Sequence, residues 1–289
     1  MKLVTYNIHY GIGLDGRYDV GRIADAVRGA DVIALQEVTR ANPNNEDHDM
    51  VAELGEALPD YFAVYGSNFE VDAGSRLENG RAITTTFQLG NMVLSKTPIH
   101  LSRNLLLPRS RSFEAMNFQR GALEALIKTP LGFIRCYSTH LDHRSPVERT
   151  GQLRFLRQRL LNYGFEGGGL SGVAEVGLPE LPCPEAFVVM GDFNMLAGSP
   201  EYVEFAGRPD HEFGMPLTAD LAVDAAARLA VAGADLVTWV DPKRPEDTSR
   251  HKCIDYVFTS ASLAGSLKRL WVDRQAAGSD HLPVWAELA

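Results

Sequence analysis

The sequence predicts an α/β chain in which antiparallel pairing dominates, and three observations carry that expectation. Short runs rich in Val, Ile, Phe and Tyr recur along the whole length, helical periodicity is confined to a few segments between them, and several strands follow one another with no helix that could carry a crossover. The strand runs are 2–7, 31–36, 61–65, 91–95, 122–128, 132–139, 186–191, 236–240, 253–259 and 283–288. Helices are expected over 19–29, where Ile23, Ala26 and Val27 repeat behind Asp19 as N-cap, and over 148–162, where Leu153, Leu156 and Leu160 repeat. The runs 122–128 and 132–139 meet at Thr129-Pro130-Leu131-Gly132, which demands a hairpin. Segments 66–90 and 164–184 read as long loops, the second marked by Gly167-Gly168-Gly169, Pro179, Pro182 and Pro184. No composition shift marks a linker, so they are expected to be insertions in a single domain spanning 1–289.

Composition narrows the function classes. The chain has 289 residues, 45% of them hydrophobic and 22% charged, which is ordinary globular usage. Its formal charge of -9, from 28 basic and 37 acidic side chains, gives no general attraction to a phosphate backbone, so nucleic acid is a partner only through a local patch and is not favoured. Cys136, Cys183 and Cys253 are far apart and odd in number, which excludes a disulfide framework or a zinc ribbon and fits a cytoplasmic protein. Strand character begins at Leu3-Val4, leaving no room for a secretory leader, so such an address is expected to be absent or already removed. The most apolar stretch, 217–237, is broken by Asp220, Asp224, Arg228 and Asp235, so no transmembrane segment is expected. A monomer is expected.

Apolar runs repeatedly end in acid, amide or imidazole side chains: Asn7 after Leu3 to Tyr6, Glu37 after Val32 to Gln36, His140 after Phe133 to Thr139, and Asp192 and Asn194 after Val188 to Gly191. Asp255 sits within Cys253 to Phe258, and Asp280-His281 precedes Leu282-Pro283-Val284. Singly, each such residue reads as a turn former or cap. Together they offer hard oxygen ligands and two imidazoles, a set that suits Mg²⁺ or Mn²⁺ better than a thiolate-bound metal.

Six motifs carry a resemblance. Tyr6-Asn7-Ile8, Gln36-Glu37-Val38, Ser138-Thr139-His140-Leu141, Gly191-Asp192-Phe193-Asn194, Ile254 to Phe258 and Ser279 to Val284 stand in the order found in the endonuclease/exonuclease/phosphatase (DNase I-like) superfamily. The resemblance spans residues 3 to 288 and implies a four-layer α/β/β/α sandwich of two packed, mixed, largely antiparallel sheets, with the site where strand ends meet. It implies metal-dependent phosphoester hydrolysis, by a phosphodiesterase, a phosphatase or a nuclease. Glu37 resembles the main metal ligand, with Asn7 and Asp280 beside it. Asp192 resembles the group that orients or deprotonates the attacking water, and Asn194 one that holds the phosphate. His281 matches the family's strand-end histidine, Asp255 its orienting carboxylate, and His140 the group near phosphate and leaving group.

The chemistry is intelligible from first principles. A phosphoester anion repels nucleophiles, so a site must neutralise its non-bridging oxygens, align a water and stabilise the departing oxygen. An Asp-paired histidine keeps its proton near neutral pH, which makes an Asp255–His281 dyad the natural cation.

This sequence also departs from the pattern. His9 stands where some relatives have a second acid, and it is a candidate for binding phosphate or for packing. The partner of His140 is not identifiable; Glu70 and Glu78 in the divergent segment 66–90 are candidates. Of Arg103, Arg109, Arg111 and Arg120, the last lies in Gln119-Arg120-Gly121-Ala122-Leu123, which resembles a family strand whose Arg reaches the site, and is expected to fork onto a phosphate, the others being surface charge. Arg144, Arg149, Arg154, Arg157 and Arg159, on or before the 148–162 helix, are expected to form a solvated face, although the resemblance also makes Arg149 and Gln152 candidates to buttress the His140 loop. Leu105-Leu106-Leu107 could touch a lipid tail but reads better as a buried anchor.

Three rival readings fail. Gly11-Ile12-Gly13-Leu14-Asp15-Gly16 spells a dinucleotide fingerprint, yet Asp15-Gly16 is a turn and the helix opens only after Asp19. His140-Leu141-Asp142-His143 is half of a zinc motif with Ser138 in the preceding ligand position. A catalytically inactive binding module would have lost site residues that are present here.

Overall fold

Leu3 and Val4 show how the layers are built. Successive strand side chains point to opposite faces. Within β1 (Lys2–Asn7), Leu3 packs into a core with Val32, Val93, Met190 and Val284, while Val4 and Tyr6 pack with Ile23, Val27 and Leu54. Both faces of the strand are therefore covered. In this computed structural model, which describes residues 1–111, 116–231 and 233–289, that arrangement extends to two large sheets.

From β1 the chain passes through α1 (Val20–Val27), whose N-cap Asp19 accepts a hydrogen bond from the Arg22 amide, into β2 (Val32–Arg40), parallel to β1. α2 (Met50–Ala57), capped by Asp49, lies beside α1. β3 (Phe62–Asp72), the short pair β4 (Arg76–Glu78) and β5 (Arg81–Ile83), and β6 (Thr86–Ser95) form antiparallel ribbons. β7 (Ile99–Leu106), β8 (Gly121–Thr129) and β9 (Gly132–His140) form an antiparallel meander. α3 (Pro146–Leu161) and α4 (Tyr163–Glu166) lead to β10 (Phe187–Asp192), parallel to β9. Then come α5 (Pro200–Ala206), β11 (Val223–Asp224), α6 (Ala225–Arg228) and β12 (Asp255–Thr259), before β13 (Leu267–Val272) and β14 (Val284–Leu288) return to the first sheet.

The sheets run β13-β14-β1-β2-β6-β3 and β11-β12-β10-β9-β8-β7. Only β1–β2 and β9–β10 are parallel among these neighbours, and each of those pairs is spanned by a helical crossover, as parallel strands require. Three apolar cores follow: one between the sheets, one under α1 and α2, and one under α3 and α5 that includes Leu153, Leu156, Phe193, Phe205 and Phe258. This is a four-layer α/β/β/α sandwich with mixed, largely antiparallel sheets. A polar tie crosses the central core, where Gln36 donates to the Ser138 hydroxyl at 2.9 Å and that hydroxyl donates to the Leu35 carbonyl at 2.8 Å.

Several expectations need correction. Segment 66–90 is a ribbon rather than a loop, because β3 and β6 stay paired from Phe62↔Ser95 out to Asp72↔Thr86, with β4 and β5 at its tip. Its outer part is exposed on both faces, so no burial imposes an apolar alternation on the sequence. Residues 236–240 do not form a strand despite their β-prone composition; Trp239 makes isolated bridges to Lys252 and His281. β7 and β13 are edge strands with interrupted patterns, Lys268 and Arg269 breaking the latter. Arg103 is no free surface charge, since its Nε lies 3.2 Å from the buried Glu124 carboxylate. Leu107 is the buried anchor of its triplet, while Leu106 is exposed. Among the described residues no helix is long and apolar enough to cross a membrane.

Candidate active site

Strand ends assemble the site. Asn7 closes β1 in register with Gln36, and directly after Gln36 the pairing of β2 with β6 slips, so that Gln36 faces Asn91 and Val38 faces Gly90. Glu37 is the extra residue of this bulge, with φ 60°, a conformation rare outside glycine. The bulge re-aims its carboxylate out of the strand alternation and into the cleft. In the second sheet the register sets Asp192 between His140 on β9 and Asp255 on β12. Gly191 makes that packing possible, because a Cβ there would lie 1.8 Å from the Thr139 carbonyl oxygen.

His9, Glu37, Arg120, His140, Asp192, Asn194, Asp280 and His281 all line one cleft of about 330 Å³. Asn7 and Asp255 support it from behind. Asn7 Nδ2 donates to Asp192 Oδ2 at 3.0 Å and to Glu37 Oε1 at 3.2 Å, joining the ends of both sheets, and Asn7 Oδ1 accepts from the His9 amide at 3.1 Å. Asp192 Oδ1 accepts from the Asn194 amide at 2.9 Å. Asn194 Nδ2 lies 3.1 Å from His140 Nε2 and donates to the Leu141 carbonyl at 3.2 Å. His281 Nδ1 is 2.9 Å from Asp255 Oδ2, and its Nε2 is 3.8 Å from Asp192 Oδ2. His9 Nδ1 lies 3.1 Å from the Ile12 carbonyl oxygen and 3.6 Å from Asp280 Oδ1.

The electrostatics divide these groups. Burial, and next the Asp255 charge, push the Asp192 carboxyl up to about 7. Burial would pull His281 down, but the Asp255 charge and hydrogen bond outweigh it and hold the imidazole up at about 10. His140 is held well below its ordinary value by burial and by Arg120, His281 and His143, so it is a neutral ring. Its Nδ1 has no hydrogen-bond partner among the described residues and stands 3.8 Å from Glu37 Oε1, while its Nε2 is 3.3 Å from Asp192 Oδ2. Glu70 and Glu78 are exposed on the ribbon and are not the partners of His140.

Arg120 is 3% exposed, a buried cation at the cleft wall whose Nη2 lies 3.0 Å from His143 Nδ1. Behind the loop that follows His140, Gln152 Oε1 accepts from the Asp142 amide at 2.9 Å, and Arg149 donates to the Asp142 carbonyl at 3.1 Å and to Glu201 at 2.7 Å. Arg149 is therefore not part of a solvated face: it is buried, and with Gln152 it forms the hydrogen-bonded support that the resemblance offered as the alternative.

Sequence reasoning missed Tyr10, His143, Trp239 and Lys252, which also line the cleft. The Tyr10 hydroxyl is held above its ordinary range chiefly by the Glu37 charge. Trp239 donates its indole N–H to Asp280 Oδ2 at 3.1 Å. The β-prone composition around Trp239 concealed it, His143 stands only in the half zinc motif, which fails, and no motif flags Tyr10 or Lys252.

The donor set suits a hard divalent cation. Glu37 Oε2 is buried and without a hydrogen-bond partner among the described residues, an uncompensated carboxylate oxygen beside Asn7 and in the cleft shared with Asp280. Ligand atoms of Asp192, Asp255 and His281 lie within 4.8 Å of one another. In that trio, however, the Asp255 contact already engages Nδ1 of the ring. Glu37 offers the freer oxygen.

Solved structures share this architecture over the whole chain. An endonuclease/exonuclease/phosphatase from Beutenbergia cavernae DSM 12333 is 22% identical with a TM-score of 0.67, covering 100% of this chain and 72% of that one. The mannosyl-6-phosphatase of Bacteroides thetaiotaomicron VPI-5482 is 18% identical with a TM-score of 0.62, covering 100% of this chain and 99% of that one. The 3′ phosphatase NExo from Neisseria, bound to a product DNA hairpin, is 17% identical with a TM-score of 0.59 and the same coverage. At these identities the likeness is one of fold. A comparison with curated protein sequences gives no match. The family model described as Endonuclease/Exonuclease/phosphatase family matches residues 4–281, from β1 to the histidine of the dyad, and the chain belongs to that family.

Proposed function

We propose that this protein hydrolyses a phosphoester bond with the help of a divalent cation, Mg²⁺ or Mn²⁺, and that its substrate is a small or lipid-linked phosphoester. The observation that carries the reading is the single cleft in which a buried arginine, a histidine held protonated by Asp255, and a carboxylate with an unpaired oxygen face one another. Glu37, Asn7 and Asp280 would hold the cation. When bound, it would neutralise non-bridging phosphate oxygens and polarise the phosphorus centre.

The remaining work belongs to the chain's own side chains. Arg120 forks onto the phosphate, and Asn194 and His9 steady it. Asp192, with its proton affinity raised towards neutrality, orients the attacking water and takes its proton, a match of pKa to pH that favours general-base catalysis. His281, protonated through Asp255, places positive charge at the reacting phosphate, while His140 is a neutral hydrogen-bonding ring beside Asp192. Residues 1–289 act as a single domain in this reading.

The formal charge of -9 supports a small substrate, because duplex binding requires many phosphate contacts. Similar folds serve both kinds of substrate, a mannosyl-6-phosphatase and a 3′ phosphatase bound to a DNA hairpin among them. The deciding experiment is a panel with Mg²⁺ at about 150 mM salt, where non-specific electrostatic binding is weak. It compares bis-p-nitrophenyl phosphate, p-nitrophenyl phosphate, phosphocholine lipids, plasmid and abasic oligonucleotide. Turnover of a small or lipid ester above both DNAs is the expected result. Far more efficient cleavage of DNA would make the protein a nuclease, and no turnover of any ester would reject hydrolysis.

A further inference from the structure

A cation with no carboxylate partner among the described residues stands at the mouth of the cleft. The Lys252 side chain is exposed, lines the cleft with Arg120 and His281, and lies over the Trp239 indole with its ammonium 5.0 Å from the ring centre. Its backbone is fixed: the amide donates to the Trp239 carbonyl at 3.0 Å, and the carbonyl accepts from the Trp239 and Thr238 amides at 2.9 Å. Trp239 is in turn tied to Asp280 through its indole N–H at 3.1 Å. The root of the lysine is therefore held in a set relation to Asp280, while its flexible stem carries the charge into solvent.

Arg120 and Lys252 differ in depth. Arg120 is 3% exposed, within reach of a group buried among His140, Asp192 and Glu37, whereas Lys252 reaches only what remains outside. A single phosphate seated at depth leaves Lys252 unused. An ammonium is a point charge without the directional fork of a guanidinium, and it suits a second phosphate whose position is loosely defined. Resting on the reading above, we propose that Lys252 is a specificity residue that binds a second, non-reacting phosphate group, and that favoured substrates carry two phosphates.

The test reads binding, not turnover. Calorimetric titrations of the full chain use propylphosphonate and propane-1,3-diylbisphosphonate, both hydrolysis-resistant, with Mg²⁺ in excess. The bisphosphonate should bind about fivefold more tightly, the scale of one exposed charge pair, and salt should erode that advantage. Lys252→Met should remove the advantage with only a small change in propylphosphonate affinity, and Lys252→Arg should restore most of it. A Lys252→Met protein that keeps the preference overturns the proposal, as does a wild-type protein that shows no preference or binds neither compound. A lysine-dependent preference in a protein that turns over no ester would refute the hydrolase reading and leave the second-phosphate site standing.

Discussion

Asp255 and His281, 26 positions apart, meet with Oδ2 and Nδ1 at 2.9 Å, although Asp255 opens β12 in one sheet and His281 precedes β14 in the other. The dyad exists only because the two sheets pack. Asp255→Asn keeps the shape and removes the charge that holds His281 protonated. Hydrolysis should fall by about 10²–10⁴-fold, the usual scale for an acid–base group, while circular dichroism shows an unchanged fold. Undiminished kcat would reduce the pair to a packing contact.

Glu37→Gln should abolish most metal-dependent turnover. In metal-free protein it should leave the fold intact by circular dichroism, because the change is isosteric and the charge it removes acts in both directions, against Asp192 through their shared partner Asn7 and for the buried Arg120. The stabilisation that Mg²⁺ gives the wild type by mass action should vanish in the variant. A variant still stabilised by Mg²⁺ to the wild-type extent would place the cation elsewhere.

Gly191→Ala tests the close approach of β10 to β9. The added Cβ would sit 1.8 Å from the Thr139 oxygen, which is backbone and cannot rotate away. A loss of about 3 kcal/mol or more is expected in urea unfolding, at or beyond the upper end for overpacking, together with loss of activity through displaced Asp192. A shift under about 1 kcal/mol would contradict the fit.

Arg149 and Glu201 supply a pH-dependent prediction. Both are buried; burial alone would raise the Glu201 carboxyl, but its hydrogen bonds from Arg149 outweigh this and hold it below the usual range. A lowered folded-state value stabilises the protein fully above the unfolded value, about 4.3, and that contribution is lost as pH falls through the folded value. Arg149→Met should therefore cost about 3–5 kcal/mol near pH 7. The difference should shrink below about pH 4, as the wild-type carboxylate takes up its proton. A penalty equal at both pH values would mean that packing, not charge, accounts for it.

The interior strands were legible because burial on both faces forces near-continuous apolar runs, as in Val188 to Met190. The ribbon around β4 and β5, exposed on both faces, leaves no such trace. The site residues were legible because each closes or lies within such a run. The Asp255–His281 pair was legible through the resemblance, but the partner of His140 was not, since Glu37 faces it only through a bulge that shifts register against β6.

The sequence by itself determined the residue types at the strand ends, the order of the motifs and the layered α/β class, because alternation, capping by Asp19 and the hairpin at 129–132 are local properties. Only the tertiary structure decided which charges meet. Burial raises Asp192 and lowers His140, and sheet packing delivers Asp255 to His281. The bridge between Trp239 and Lys252 sets a lysine at the cleft mouth. Desolvation and Coulomb energy depend on distance in space, and separation along the chain does not encode them.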